Sequence, residues 1–164
     1  LEPPWERLSV ANAFARYAGM SPEAALAGGI YEEVLVEKVE PHLGVTHPTF
    51  LYDYPAELAA LARLKPGSPQ VAERFELYLG GVELANGFSE LTDPAEQRRR
   101  FEHERELIRR DGREPGPMPE RFLRELAGLE GAAGIALGLD RLVMLLTGSG
   151  SLDAVVSFVP EELL

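Results

Sequence analysis

The sequence contains no cysteine, which excludes disulfides and thiolate metal centres and fits a reducing compartment. It has no apolar run long enough to span a bilayer and shows no secretory leader, so no membrane association and a cytoplasmic setting are expected. Basic residues are scarce beside acidic ones: 16 Lys and Arg against 27 Asp and Glu, a net charge of −11. An acidic chain repels nucleic-acid backbones, which argues against tight RNA or DNA binding by this chain alone. Histidines number three, and His42 and His47 stand in a loop with Gly44 and Pro48, where a solvated loop is the expectation over a metal pair. No internal repeat or low-complexity tract is present.

What is present suffices for one well-buried domain: 164 residues with 45% apolar content. The chain opens on Leu1 rather than Met and is read as a piece of a longer protein. Its organising stretch is VAERFELYLGGVELANGFSELT, Val71 to Thr92. Gly80-Gly81 supply the positive φ values of a tight hairpin turn. Before the turn, Phe75, Leu77 and Leu79 alternate with Arg74, Glu76 and Tyr78, and a solvated face accounts for Glu73, Arg74 and Glu76. After it, Asn86 and Glu90 share a parity with Val82, Leu84 and Phe88. Polar groups on a largely apolar face must be paired or used, so this strand is a candidate site.

The remaining elements follow from local chemistry. An extended lead-in over Leu1 to Arg7 precedes a helix capped by Ser9, running to about Ala18 with Val10, Phe14 and Tyr17 on one face and ending at Gly19. Ser21-Pro22-Glu23 restarts a short helix, and Ile30 to about Val39 forms another with Ile30, Val34 and Lys38 aligned. Thr49 to Tyr54 reads as a strand ended by Pro55. Glu57 to Leu64 fits helix or buried strand, and Lys65 to Pro69 reads as a loop. Asp93-Pro94-Ala95-Glu96 is a strong helix start, with the helix reaching about Arg110 and Gly112 past its end. Its Arg98-Arg99-Arg100 run is read as a solvated, ion-paired face in preference to a phosphate contact. A short helix from Pro119 to Leu126 turns Phe122, Leu123 and Leu126 inward. Leu152 to Val159 reads as a last strand. Hairpin and irregular connections predominate over βαβ units, which predicts an α+β domain with an antiparallel or mixed sheet.

The second informative stretch is GAAGIALGLDRLVMLLT, Gly131 to Thr147. It reads as a glycine-bearing strand turning into an apolar helix, with Asp140-Arg141 at the junction. Glycine in a strand permits close approach of a backbone or flat ligand, and a helix start with an Arg suits an anion. Close strand packing with an ordinary ion pair explains the same residues, and neither a P-loop nor a dinucleotide fingerprint is present.

Taken together, GVELANGFSELTDPAEQRRRF and GIALGLDRLVMLL resemble the C-terminal part of a class II lysyl-tRNA synthetase catalytic domain, the second run resembling motif 3. PTFLYDYP and VAERFELYLGG extend the likeness upstream, so that it covers most of Thr49 to Phe158. ERLSVANAFARYAGM, PAELAALARL and Ala136 within GIALG are similar to the GenX/PoxA group, which modifies elongation factor P. The synthetases carry a Ser-Pro-Leu-Ala-Lys run and a Gly at the last two places, and the added methyl at Ala136 can reshape an amino-acid pocket.

The resemblance implies a partial class II synthetase-like domain, a sheet flanked by helices, with residues 1–48 a helical lead-in and 49–164 the sheet core. It implies an ATP- and Mg²⁺-dependent ligase that activates lysine or β-lysine as an adenylate and transfers it to a lysine of elongation factor P. In a genuine synthetase the acceptor is tRNA(Lys); a non-catalytic binding module is a further reading. The whole protein would be a homodimer. By the same resemblance Glu83 and Glu90 hold the metal. Glu83, Leu84, Gly138 and Arg141 hold ATP, with Arg141 on the γ-phosphate. Asn86, Phe88 and Glu90 line the amino-acid pocket, Glu90 facing the ammonium group. Motifs 1 and 2 are absent from the chain, so it is expected to be inactive alone. In a regular strand Glu83 and Glu90 would face opposite ways, so a shared site requires an irregularity, expected at Ala85 or Gly87.

Overall fold

A computed structural model describes residues 2–159. Among the described residues six strands form one sheet in the order β1-β2-β4-β5-β6, with β3 paired to β4: β1 (Glu6–Ser9), β2 (Thr49–Pro55), β3 (Leu64–Lys65), β4 (Ser68–Leu79), β5 (Val82–Ser89) and β6 (Ala133–Leu137). The sheet is mixed: β1 runs parallel to β2, from Glu6 opposite Thr49 to Ser9 opposite Tyr52, whereas β3 and β4 are antiparallel. Helices complete the α+β fold: α1 (Val10–Ala13), α2 (Pro22–Ala27), α3 (Tyr31–Val34), α4 (Pro94–Arg110), α5 (Glu120–Leu126) and α6 (Leu139–Thr147). The backbone divides into two compact units, one of Leu1–Asp53, Phe75–Gly87 and Ile135–Leu164, the other of Tyr54–Arg74 and Phe88–Gly134.

In the first unit, caps set the helices. The Ser9 hydroxyl accepts the Asn12 N–H at 3.2 Å, and α1 continues as a π-helical turn over Phe14–Ala18 until Gly19, at φ 67°, ends it. Ser21 caps α2 on Ala24 in the same manner, with Pro22 at the first helical position. α3 and the π-helical turn after it, Leu35–Val39, bury Tyr31, Leu35 and Val39 rather than the expected Ile30, Val34 and Lys38. The face is rotated by one position because Tyr31 stacks on the buried Phe14 ring, centroids 5.0 Å apart, which fixes the side that turns inward. Each large apolar side chain buried in this way contributes about 2 kcal/mol of transfer free energy.

The Gly80-Gly81 turn closes the β4–β5 hairpin as expected, with both φ values positive. The loop before β2 docks on it: Gly80 N–H donates to the Gly44 carbonyl at 2.7 Å, and Gly44 N–H donates to the buried Thr49 hydroxyl at 3.2 Å. A Cβ at Gly44 would lie 2.5 Å from the Tyr78 carbonyl carbon, so glycine is required there. His42 stacks on Tyr17 with centroids 4.5 Å apart.

The expected last strand is not formed. Leu152–Ala154 makes a single 3₁₀ turn, with the Val155 and Val156 N–H groups both donating to the Leu152 carbonyl, and Phe158 is 71% exposed. Apolar, β-branched composition makes a strand only where a neighbouring edge supplies a ladder, and among the described residues none is paired with this segment.

In the second unit Ala59, Ala62 and Ala72 form a buried cluster, with Leu64 and Phe88 packed against it. The ambiguous Glu57–Leu64 stretch is neither a full helix nor a strand but a 3₁₀ turn, Ala56–Leu58, leading to a bridge between Ala62 and Glu90. Lys65 to Pro69 is a correction: Pro66 and Gly67 form a two-residue hairpin turn, with Gly67 at φ 78° and Lys65 paired to Ser68. The Asp93 carboxylate caps α4 through the Ala95 and Glu96 N–H groups at 2.9 and 3.3 Å. Arg98 pairs with Glu120, Arg99 with Glu96, and Arg100 with Glu96 and with the carbonyls of Ala60 and Ala62. The triple-Arg run is thus an ion-paired surface, one member of which holds a loop. α5 buries Leu123 and Leu126, but Phe122 remains 42% exposed beside Phe101, because Phe101 and Phe122 pack on each other at the surface with centroids 6.0 Å apart.

Candidate active site

In the first unit, β5 and the β6–α6 junction bring four of the predicted residues together. The Gly138 N–H donates to the Leu84 carbonyl at 2.9 Å, which ties the end of β6 to β5 and sets the start of α6. One turn into α6, Arg141 Nη1 donates to the Glu83 carbonyl at 2.7 Å and to Glu83 Oε2 at 3.3 Å. Both side chains keep substantial exposure, 43% and 37%, so the pair faces solvent and is open to an incoming anion or cation. Leu84 is buried, and its peptide is committed to Gly138. A Cβ at Gly138 would make only an ordinary 3.4 Å contact with the Arg141 side chain, so no protein neighbour enforces glycine there. Asn86 lies half-buried further along β5.

Glu83 is also part of an acidic group that sequence reasoning missed. Glu76, placed by its alternation on a solvated face, is only 7% exposed, and Tyr78 on the same side of β4 is 1% exposed. Tyr78 Oη lies 2.8 Å from Glu76 Oε2 and 3.1 Å from Glu40 Oε1. Burial pushes the Glu40 carboxyl above the usual carboxylate range; the Tyr78 hydrogen bond opposes this, and repulsion from Glu76, Glu83 and Glu32 reinforces it. Burial likewise pushes the Tyr78 phenol far up, with the neighbouring carboxylates adding to the effect, so it stays a neutral donor. The available signal was the shared parity of Ala72, Glu76 and Tyr78, with a tyrosine able to satisfy a buried carboxylate.

In the second unit, the Glu90 N–H donates to the Ala132 carbonyl at 2.9 Å, and Glu90 bridges Ala62 beyond the end of β5. Its carboxylate lies over Gly134: a Cβ added there would be 2.9 Å from Glu90 Oε1. Gly134 is therefore the position that makes room for the Glu90 carboxyl. Phe88 packs into the alanine core of this unit.

The chain matches the family described as tRNA synthetases class II (D, K and N) over residues 1–162. It belongs to that family. Among curated relatives, it is 49% identical to the elongation factor P–(R)-β-lysine ligase of Proteus mirabilis over 126 residues, covering 76% of this chain and 39% of that protein. The ligase of the same name from Klebsiella pneumoniae (strain 342) is 49% identical over 125 residues, 76% of this chain and 38% of that protein. The Salmonella gallinarum ligase is 48% identical over 130 residues, 79% and 40%. The chain thus spans about two-fifths of the length of these relatives. The GenX/PoxA-like reading of the motifs is borne out, as is the class II synthetase-like fold.

For a class II family member the donor chemistry fits a magnesium nucleotide. Glu83 offers hard carboxylate oxygens, the donor type Mg²⁺ prefers, and Arg141 beside it offers a guanidinium suited to phosphate. Among the described residues no group of three or more His, Asp or Glu side chains is gathered as a closed metal cage. Among the described residues no helix is long and apolar enough to cross a membrane.

Proposed function

We propose that the protein activates lysine or β-lysine with ATP and passes the acyl group to a lysine side chain of elongation factor P. The observation that carries this reading is the Glu83–Arg141 pair at the β5 and α6 junction, in a chain about 49% identical to ligases of that name. In the proposed reaction the donor carboxylate oxygen attacks the α-phosphorus of ATP, the bond to the β-phosphate oxygen breaks, and pyrophosphate leaves. The acceptor amine then attacks the acyl carbon of the adenylate and releases AMP. The attacking carboxylate is already ionised, so no general base is needed for the first step.

Glu83 would hold Mg²⁺; the ion, when bound, neutralises charge on the phosphates. Arg141 would leave Glu83 Oε2 for the γ-phosphate, and its charge would stabilise the departing pyrophosphate. Leu84 and Gly138 present the backbone beside the nucleotide, and the bare Gly138 leaves room for its adenine or ribose. Phe88 and Glu90 would select the donor, the Glu90 carboxylate taking its ammonium group. ATP–pyrophosphate exchange by the intact protein tests this. Arg141→Ala and Glu83→Gln should each lower kcat/KM for ATP at least about a hundredfold while the protein stays folded. Near-normal exchange in both variants would remove these residues from the site.

A further inference from the structure

The buried group around Tyr78 contains more acceptors than protons. A phenol carries one proton, yet Tyr78 Oη stands within hydrogen-bond distance of two carboxylates, Glu76 at 2.8 Å and Glu40 at 3.1 Å. If both were ionised, one of these contacts would set two unprotonated oxygens against each other beside the buried Tyr78 ring. The shorter contact takes the phenol proton, so the Glu40 contact requires a proton of its own. Burial favours that proton, and so do the carboxylates of Glu76 from β4, Glu83 from β5 and Glu32 from α3, with the Tyr78 hydrogen bond opposing them; Arg141 of α6 lies on Glu83.

We propose that Glu40 and Tyr78 are positioning residues for the nucleotide side of the site: Glu40 O–H donates to Tyr78 Oη, Tyr78 O–H donates to Glu76, and this two-bond chain fixes the acidic strand leading into Glu83. Glu40 belongs to a 3₁₀ turn, Glu40–His42, that directly follows the π-helical turn Leu35–Val39. The chain therefore ties the helical segment to β4 as well. This rests on the nucleotide reading of Glu83.

The first substitution is Glu40→Gln, whose amide N–H can replace an acid O–H; its carbonyl can also accept a hydrogen bond, so the melting and NMR readouts decide which group donates. In the intact protein, Glu40→Gln should keep the wild-type KM for ATP in pyrophosphate exchange, whereas Glu40→Ala and Tyr78→Phe should raise it about tenfold with a smaller change in kcat. The pH dependence of melting gives a readout independent of activity. A carboxyl whose folded pKa is raised contributes stability that is complete below its unfolded value and is lost as pH rises through the folded value. The melting temperature of Glu40→Gln should therefore gain on that of wild type as pH rises above the ordinary carboxylate value, and not below it. Carbon NMR of the Glu40 carboxyl should show the acid form at neutral pH. The proposal is overturned if Glu40→Gln is as damaging as Glu40→Ala, or if the Glu40 resonance is that of a carboxylate at neutral pH. It is also overturned if Glu40→Ala and Tyr78→Phe both leave the KM unchanged in an active enzyme. Absence of exchange in the wild type would count against the ligase reading alone, because the melting and NMR results still decide the hydrogen-bond chain.

Discussion

Substituting Gly134 by alanine probes the role of Glu90 without touching its carboxylate. The added Cβ would stand 2.9 Å from Glu90 Oε1. An ordinary carbon–oxygen contact needs about half an ångström more, so the carboxylate must move by about that much. Gly134 does not occupy the left-handed region, so alanine brings no backbone strain. The atom that must yield is the far end of a side chain, and the loss of stability should stay under about 1 kcal/mol, a few degrees in melting temperature. A substrate ammonium held by that carboxylate is less forgiving. Displacement by half an ångström weakens a charge-assisted hydrogen bond by roughly 1.5 kcal/mol, which is about tenfold in kcat/KM for the amino-acid donor. The assay is pyrophosphate exchange at saturating ATP with the donor varied. A double-mutant cycle sharpens it: in a Glu90→Gln background Gly134→Ala should add almost nothing, because the group it displaces is already impaired. Full additivity of the two effects, or a Gly134→Ala variant with an unchanged donor KM, would refute the reasoning.

Two further predictions concern α4. Arg100 donates to the Ala60 and Ala62 carbonyls at 2.8 and 2.9 Å, so Arg100→Met should destabilise by about 2 kcal/mol in urea titrations. The exposed Arg98→Ala and Arg99→Ala should leave the midpoint nearly unchanged. Hydrogen bonding from Arg100 holds the Glu96 carboxyl below its usual range, and Arg99 adds to this. A depressed folded pKa contributes stability that is present above the unfolded value and lost as pH falls through the folded one. Glu96→Gln should therefore lower the melting temperature at about pH 7 and have little effect near pH 3.

Elements with local causes were legible in the sequence. Ser9, Ser21 and Asp93 cap helices through neighbours two or three residues away, and Gly80-Gly81 turns the hairpin on its own dihedral freedom. Elements with distant causes were not. β1 is a strand because it lies parallel to β2, 43 residues on, and nothing in ERLS announces that pairing. Tyr31 rather than Ile30 turns inward because of Phe14. Glu76 was assigned to solvent because charge usually means exposure; its partner Tyr78 is two residues away, but the Glu40 that completes the group comes from another element. In the site, Glu83 and Arg141 could be paired through motif likeness, and the structure joins them. The reason for Gly134 is steric, and it became visible only once Glu90 was placed over it.

The most direct test supplies the intact protein with ATP, Mg²⁺ and either lysine or (R)-β-lysine, and offers elongation factor P and tRNA(Lys) as competing acceptors. Mass spectrometry of elongation factor P should show one added aminoacyl group on a lysine, formed only with ATP, while the tRNA stays uncharged. Charging of tRNA(Lys) with elongation factor P unmodified would contradict the account.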